Sequence, residues 1–145
     1  MADAAARPEP GWKHFAHSAD IGVEGWGPTL ANAFEQAALA LTAAVTSANL
    51  APDIAVGIAC EAPDKELLFV EWLNAIIYEM AVRRMLFGRF SVRIEGTRLF
   101  GTLWGEAVDI ARHEPACEPK GATYTALKVT QDKDGTWSAA CVVDV

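Results

Sequence analysis

Apolar and polar positions alternate along two short runs near the start of the chain. Residues 12–16 predict a first strand and residues 21–26 a second, with Gly27-Pro28 as the stop. The period then changes. Leu30, Ala33, Phe34, Ala37, Ala38, Leu41 and Val45 recur at helical spacing behind Thr29, whose hydroxyl can cap an early backbone N–H. This helix is expected to end near Ser47-Ala48-Asn49. Residues 54–61 read as a third strand, and Pro63-Asp64 opens a second helix running to about Met85, with Gly88 as its closing signal. Apolar residues cover most of its circumference, which predicts the central buried helix. Residues 90–94 and 98–104 form a hairpin around Glu95-Gly96-Thr97, and a polar loop follows over 111–121. Two last strands, 123–130 and 136–144, flank Asp132-Lys133-Asp134-Gly135, whose Asp-Gly suits a turn needing positive φ. The order of elements predicts an α+β fold, with two helices packed on mostly antiparallel sheet. Residues 12–145 make the single domain, behind a flexible tail over residues 1–11.

A chain of 145 residues can bury enough surface to fold without disulfides or a structural metal. Twelve Lys and Arg against 19 Asp and Glu give a formal charge of −7. An acidic surface argues against direct nucleic-acid binding, because each phosphate contact needs a cation. It leaves room for a basic partner or a metal ion. Three cysteines at long spacings make no C-x-x-C pair, so they are expected to be reduced in a cytosolic, cytoplasmic protein. The early Asp3 and the lack of a long apolar core speak against a signal peptide. Glu71, Asn74, Glu79, Arg83 and Arg84 interrupt the longest apolar stretch, so no membrane span is expected.

The candidate chemistry lies at the two ends. Asp20, in His17-Ser18-Ala19-Asp20, follows a tight bend and can ligate a hard cation, or simply accept backbone N–H bonds. Asp144-Val145 places a side-chain carboxylate next to the carboxylate that ends the chain, on a strand expected to stay in its sheet. If Asp20 meets that end, the carboxylates repel unless a cation lies between them; left apart, the end is simply solvated. Lys120 could bind phosphate or a partner's carboxylate, or lie in solvent. His17, His113 and Glu114 are candidate acid–base or supporting groups, although a structural histidine is the commoner role for each imidazole. Asp132 to Gly135 imitates the start of an EF-hand loop but lacks its later ligands, and no dinucleotide loop, Walker A pattern or nucleophile elbow is present.

Four segments in order are similar to signatures of one family. His17-Ser18-Ala19-Asp20-Ile21-Gly22 with Gly27 and Thr29 to Glu35 resembles the opening motif of the archeases. Leu67 to Asn74 resembles their second-helix motif, Arg112 to Pro115 with Lys120 to Tyr124 their loop-and-strand motif, and Val142 to Val145 their C-terminal end. The resemblance implies a small α+β protein that assists the 3′-phosphate RNA ligase of tRNA splicing and RNA repair. Such proteins promote guanylylation of the ligase's histidine, sustain multiple turnover and are also described as chaperone-like. It further implies a divalent cation, Ca2+, held by Asp20, Asp144 and Val145, and an activating role for Lys120. Ser18 stands where Thr is commoner, and Thr125 where His is frequent. Two other functions compete with the activator. One is a chaperone-like or methyltransferase-modulating module working through apolar surface such as Trp12 or Trp26. The other is a small metal-dependent hydrolase using Asp20, His17 and His113.

Overall fold

The computed structural model describes residues 9–145, so most of the expected tail lies outside the described residues. Two antiparallel sheets and two long helices enclose one core. In the first sheet, β1 (Gly11–His17) pairs with β2 (Asp20–Gly27), β2 with the last strand, β8 (Trp137–Asp144), and β8 in turn with β6 (Gly121–Ala122) and β7 (Lys128–Gln131). The second sheet has the order β3 (Ile54–Glu61), β5 (Arg98–Ala107), β4 (Met85–Glu95). The expected α+β domain is therefore present, its strands divided between two sheets.

Helix α1 (Leu30–Val45) starts where the sequence places it, since Thr29 Oγ1 accepts from the Asn32 N–H at 3.0 Å. Its small residues let it lie almost on the backbone of β2. A Cβ at Gly25 would sit 2.2 Å from the Ala37 nitrogen and 2.4 Å from the Ala33 carbonyl oxygen. The same helix covers the free edge of β4. Thr42 Oγ1 donates to the Phe87 carbonyl at 2.6 Å, and Glu35 Oε2 accepts from the Val92 N–H at 2.8 Å. An edge strand left with open backbone groups invites pairing with another chain, and here two side chains occupy them. Helix α2 (Lys65–Arg83) is capped by Asp64, which accepts from the Leu67 N–H at 2.8 Å. Its Trp72 is fully buried and donates to the Phe34 carbonyl at 2.9 Å, joining the two helices through the core.

Five expectations change. Helix α2 stops at Arg83 because Arg84 takes the left-handed cap position (φ 54) that usually falls to glycine. Met85, Leu86 and Phe87, all buried, then extend β4 past the expected start at 90, and Gly88 lies at a bulge rather than at a helix end. The single strand expected over 123–130 gives way to β6, which ends before it at Ala122, and β7, which begins only at Lys128. Thr123 Oγ1 donates to the Val142 carbonyl and accepts from the Thr125 N–H, while Ala126 is left-handed (φ 54). Local side-chain bonds of this kind compete with the ladder. The loop expected from 111 includes one helical turn, α3 (Ile110–His113), and β1 begins at Gly11 inside the expected tail.

Gly25→Ala should cost about 3 kcal/mol of stability, as an overpacked contact with backbone that cannot move aside. Gly57→Ala, where a Cβ meets nothing within 4 Å, should change stability by less than about 0.5 kcal/mol. Urea unfolding of the two variants compares them directly, and equal midpoints would contradict the close approach of α1 to β2.

Candidate metal and partner site

At one end of the first sheet the turn that carries Asp20 meets the end of β8. Ser18 and Ala19 join β1 to β2 with Ser18 left-handed (φ 53), and this tight connection makes Asp20 the cross-strand partner of His17. Pairing of β2 with β8 runs through Ile21 opposite Val143, so Asp144 falls one position further on, beside Asp20. Alternation along the strand then does the rest: Val143 is buried and Asp144 exposed. Val145 packs against the core, and its N–H donates to Asp20 Oδ1 at 3.3 Å.

Lys120 joins the same end. Its backbone N–H donates to the Asp144 carbonyl at 2.8 Å, and Gly121 pairs with Asp144 in β6. Pro119 is buried immediately before it, and the Ala122 N–H donates to Asn74 Oδ1 at 2.8 Å. Asn74 thus anchors the lysine's segment to α2. In the sequence Asn74 stands out only as an interruption of the apolar stretch of the helix motif. An amide in an otherwise apolar helix face was the available signal.

The donors gathered here are two side-chain carboxylates and the carboxylate of Val145, all oxygen. That chemistry suits a hard cation such as Ca2+, with water completing the shell. Among the described residues no group of three or more His, Cys, Asp or Glu side chains is placed to hold a metal ion. His17 is exposed beside Asp20 and, as a nitrogen donor, suits such an ion poorly. Next to Lys120 an apolar cleft of about 330 Å³ runs between α2 and residues 108–119, lined by Ile77, Met80, Met85, Val108, Ile110 and Pro119. A wider continuation reaches Lys120 itself. Ile110 is 74% exposed and Tyr78 62%.

His113 and Glu114 belong elsewhere. The His113 ring is buried, and its Nδ1 accepts from the Asp109 N–H at 2.8 Å. Its Nε2 lies 3.4 Å from Glu106 Oε2, which also accepts from the Ala51 N–H at 2.8 Å. Thr46 Oγ1 donates to the His113 carbonyl. His113 is therefore a structural pin between α1, β5 and α3, the structural one of its two expected roles. Glu114 is the exposed, left-handed cap of α3 (φ 47). The Asp20, His17 and His113 set of the hydrolase reading is not assembled, because the His113 ring faces Asp109 and Glu106. A thiol nucleophile is equally poor: burial, with Glu71 nearby, pushes Cys60 up to about 11, and burial pushes Cys141 up to about 12.

The hydrogen bond from Arg112, then that from the Ala51 N–H, holds the Glu106 carboxyl at about 2, below its ordinary 4.5. A carboxyl depressed on folding stabilises the fold above its unfolded pKa and loses that contribution as the pH falls toward the folded value. Glu106→Gln should therefore lower Tm at pH 7, and the gap to the unsubstituted protein should narrow as the pH drops from about 5 toward 2. Thermal melts across that range measure it. A gap that stays constant with pH would remove the carboxylate's charge from the account.

The pattern of the Archease protein family matches residues 12–145. The protein archease of Pyrococcus furiosus is 36% identical over 139 residues, which cover 92% of this chain and 98% of that one. That of Sulfolobus acidocaldarius is 32% identical over 137 residues, with coverages of 92% and 98%. The solution structure of protein 1598 of Methanobacterium thermoautotrophicum superposes with a TM-score of 0.75 at 30% identity, covering 93% of this chain and 99% of the other. A crystal structure of an archease from Thermotoga maritima, called a possible chaperone, shares the fold at a TM-score of 0.59 and 22% identity, with coverages of 92% and 96%. Motifs, fold and relatives agree over the same residues, and this chain belongs to the archease family.

Proposed function

We propose that this protein is a cytoplasmic, non-catalytic activator of the 3′-phosphate RNA ligase of tRNA splicing and RNA repair, promoting guanylylation of the ligase's histidine and its multiple turnover. One observation carries the reading: the Val145 N–H reaches Asp20 Oδ1, joining the first motif to the last beside Lys120. Asp20, Asp144 and Val145 would hold Ca2+, whose charge offsets the mutual repulsion of their carboxylates. Lys120 offers three N–H donors on a flexible stem to a phosphate oxygen or a partner carboxylate. Its backbone is fixed on both sides, so the ammonium is presented from a rigid base. The acidic surface of the chain orients it toward a basic, nucleotide-binding cleft and raises the rate of encounter.

A chaperone-like reading has a separate support in the exposed apolar residues Tyr78, Val82 and Ile110. The two readings divide on the carboxylates. Guanylylation of the ligase from the same source should accelerate with this protein and return to the basal rate with Asp20→Ala or Lys120→Ala. No acceleration by the unsubstituted protein would abandon the activator reading, and full acceleration by both variants would remove these residues from it. In calorimetric titration with Ca2+, residues appended after Val145 should weaken binding at least about tenfold while the melting temperature stays unchanged. Equal affinity with and without the extension would eliminate the Val145 carboxylate as a ligand.

A further inference from the structure

The second sheet has one face on the core and one open to solvent. Val56, Val92, Leu99 and Leu103 point inward and are buried. On the open face, neighbouring strands set Arg89 opposite Trp104 and Arg93 opposite Phe100. The register becomes chemistry, because the Arg89 guanidinium carbon lies 4.7 Å from the centroid of the Trp104 ring and that of Arg93 lies 4.6 Å from the Phe100 ring. On the other side of these rings β3 contributes only Ala55, Gly57 and Ala59, and a Cβ at Gly57 would meet nothing within 4 Å. The result is a smooth trough beside two arginine-capped aromatic rings. The three cross-strand rows centred on Trp104, Thr102 and Phe100 contain two arginines and no carboxylate, in a chain whose net charge is −7. Acidic side chains flank these rows on both sides: Glu61 pairs with Arg98 and Glu95 with Arg93 beyond Phe100, and Glu106 pairs with Arg112 beyond Trp104.

We infer that this open face binds an unpaired polynucleotide. Proteins that hold single strands combine aromatic faces, on which bases stack, with cations that follow the phosphates, and arginine planes serve as stacking surfaces too. Trp104 and Phe100 stand four residues apart on one strand, roughly 13 Å at the usual rise, a span that an extended strand covers in a few nucleotides. Arg89 and Arg93 lie along the same line and supply the phosphate contacts, Arg93 exchanging its exposed partner Glu95 for a phosphate oxygen. The flat face cannot reach bases already stacked inside a duplex, so single strands are selected. The acidic average of the whole chain conceals these two ring-capping arginines, and the face is independent of Asp20, Lys120 and Asp144.

Fluorescence anisotropy with labelled twelve-nucleotide oligo(U) and oligo(dT) tests the inference on the full chain at low salt. Both probes should bind saturably and a duplex of equal length far more weakly. Two phosphate contacts predict a slope of log K against log salt near about −1.4. Arg89→Ala with Arg93→Ala should weaken binding roughly tenfold and flatten that slope, while Phe100→Leu with Trp104→Leu should weaken it roughly tenfold and leave the slope unchanged. Arg84→Ala, an exposed arginine elsewhere, should change nothing. The arginine positions are exposed, so their double variant keeps the fold and carries the test even if the aromatic one does not. Failure of both probes to saturate, equal binding of duplex, or unchanged binding by the arginine variant would each overturn the inference. So would an arginine variant that binds oligonucleotide normally but fails to accelerate the ligase, which would assign the face to a protein partner.

Discussion

Backbone pairing of β8 with β2 on one side, and with β6 and β7 on the other, fixes the position of nearly everything at the carboxylate end of this protein. Because β8 is an inner strand, its register cannot slip without sending Val143 to solvent and Asp144 to the core. That penalty holds Asp144 outward and Val145 against Asp20. It also positions Lys120, which bonds to the carbonyl of Asp144 rather than to a side chain. The ammonium group is therefore placed by sheet geometry, and a change in the identity of residue 144 leaves that backbone bond intact.

Two polar clusters serve different ends. The carboxylate end is partly solvated and has few internal bonds, Asp20 meeting the last strand through the Val145 N–H. The corner of Glu106, Arg112 and His113 is closed on itself: carboxylate, guanidinium and backbone N–H satisfy one another while the imidazole fills the space between. The first arrangement suits binding, the second suits rigidity. Sequence spacing does not separate them, since both are Asp, Glu, His and basic residues near turns.

Much of the fold was legible because its signals are local. Thr29 and Asp64 are caps whose bonds fall within their own first turns, and the stripes of α1 and α2 follow from helical periodicity. What escaped depends on distant partners or on unusual backbone. Nothing in Arg84 announces a left-handed cap, and the break between β6 and β7 comes from Thr123 bonding to Val142, nineteen positions away. The candidate site was legible in its residue types and illegible in its assembly. Asp20 and the chain end were singled out as oxygen donors, yet their meeting depends on a strand order that spacing does not encode. His113 is ambiguous in sequence for the converse reason: an imidazole beside a glutamate suits chemistry or structure alike, and burial makes it packing.

The junction of Asp20 with Val145 spans 125 positions of sequence. Closing so long a loop carries an entropic cost that the local β4–β5 hairpin does not meet, so the topology favours early formation of the second sheet and late docking of β8 on β2. Kinetics then divide the molecule. Weakening an interaction already formed at the barrier slows folding, whereas weakening one formed after it mainly hastens unfolding. The carboxylate end belongs to the second kind, so its cluster of like charges can burden the lifetime of the native state while leaving the speed of its formation almost untouched.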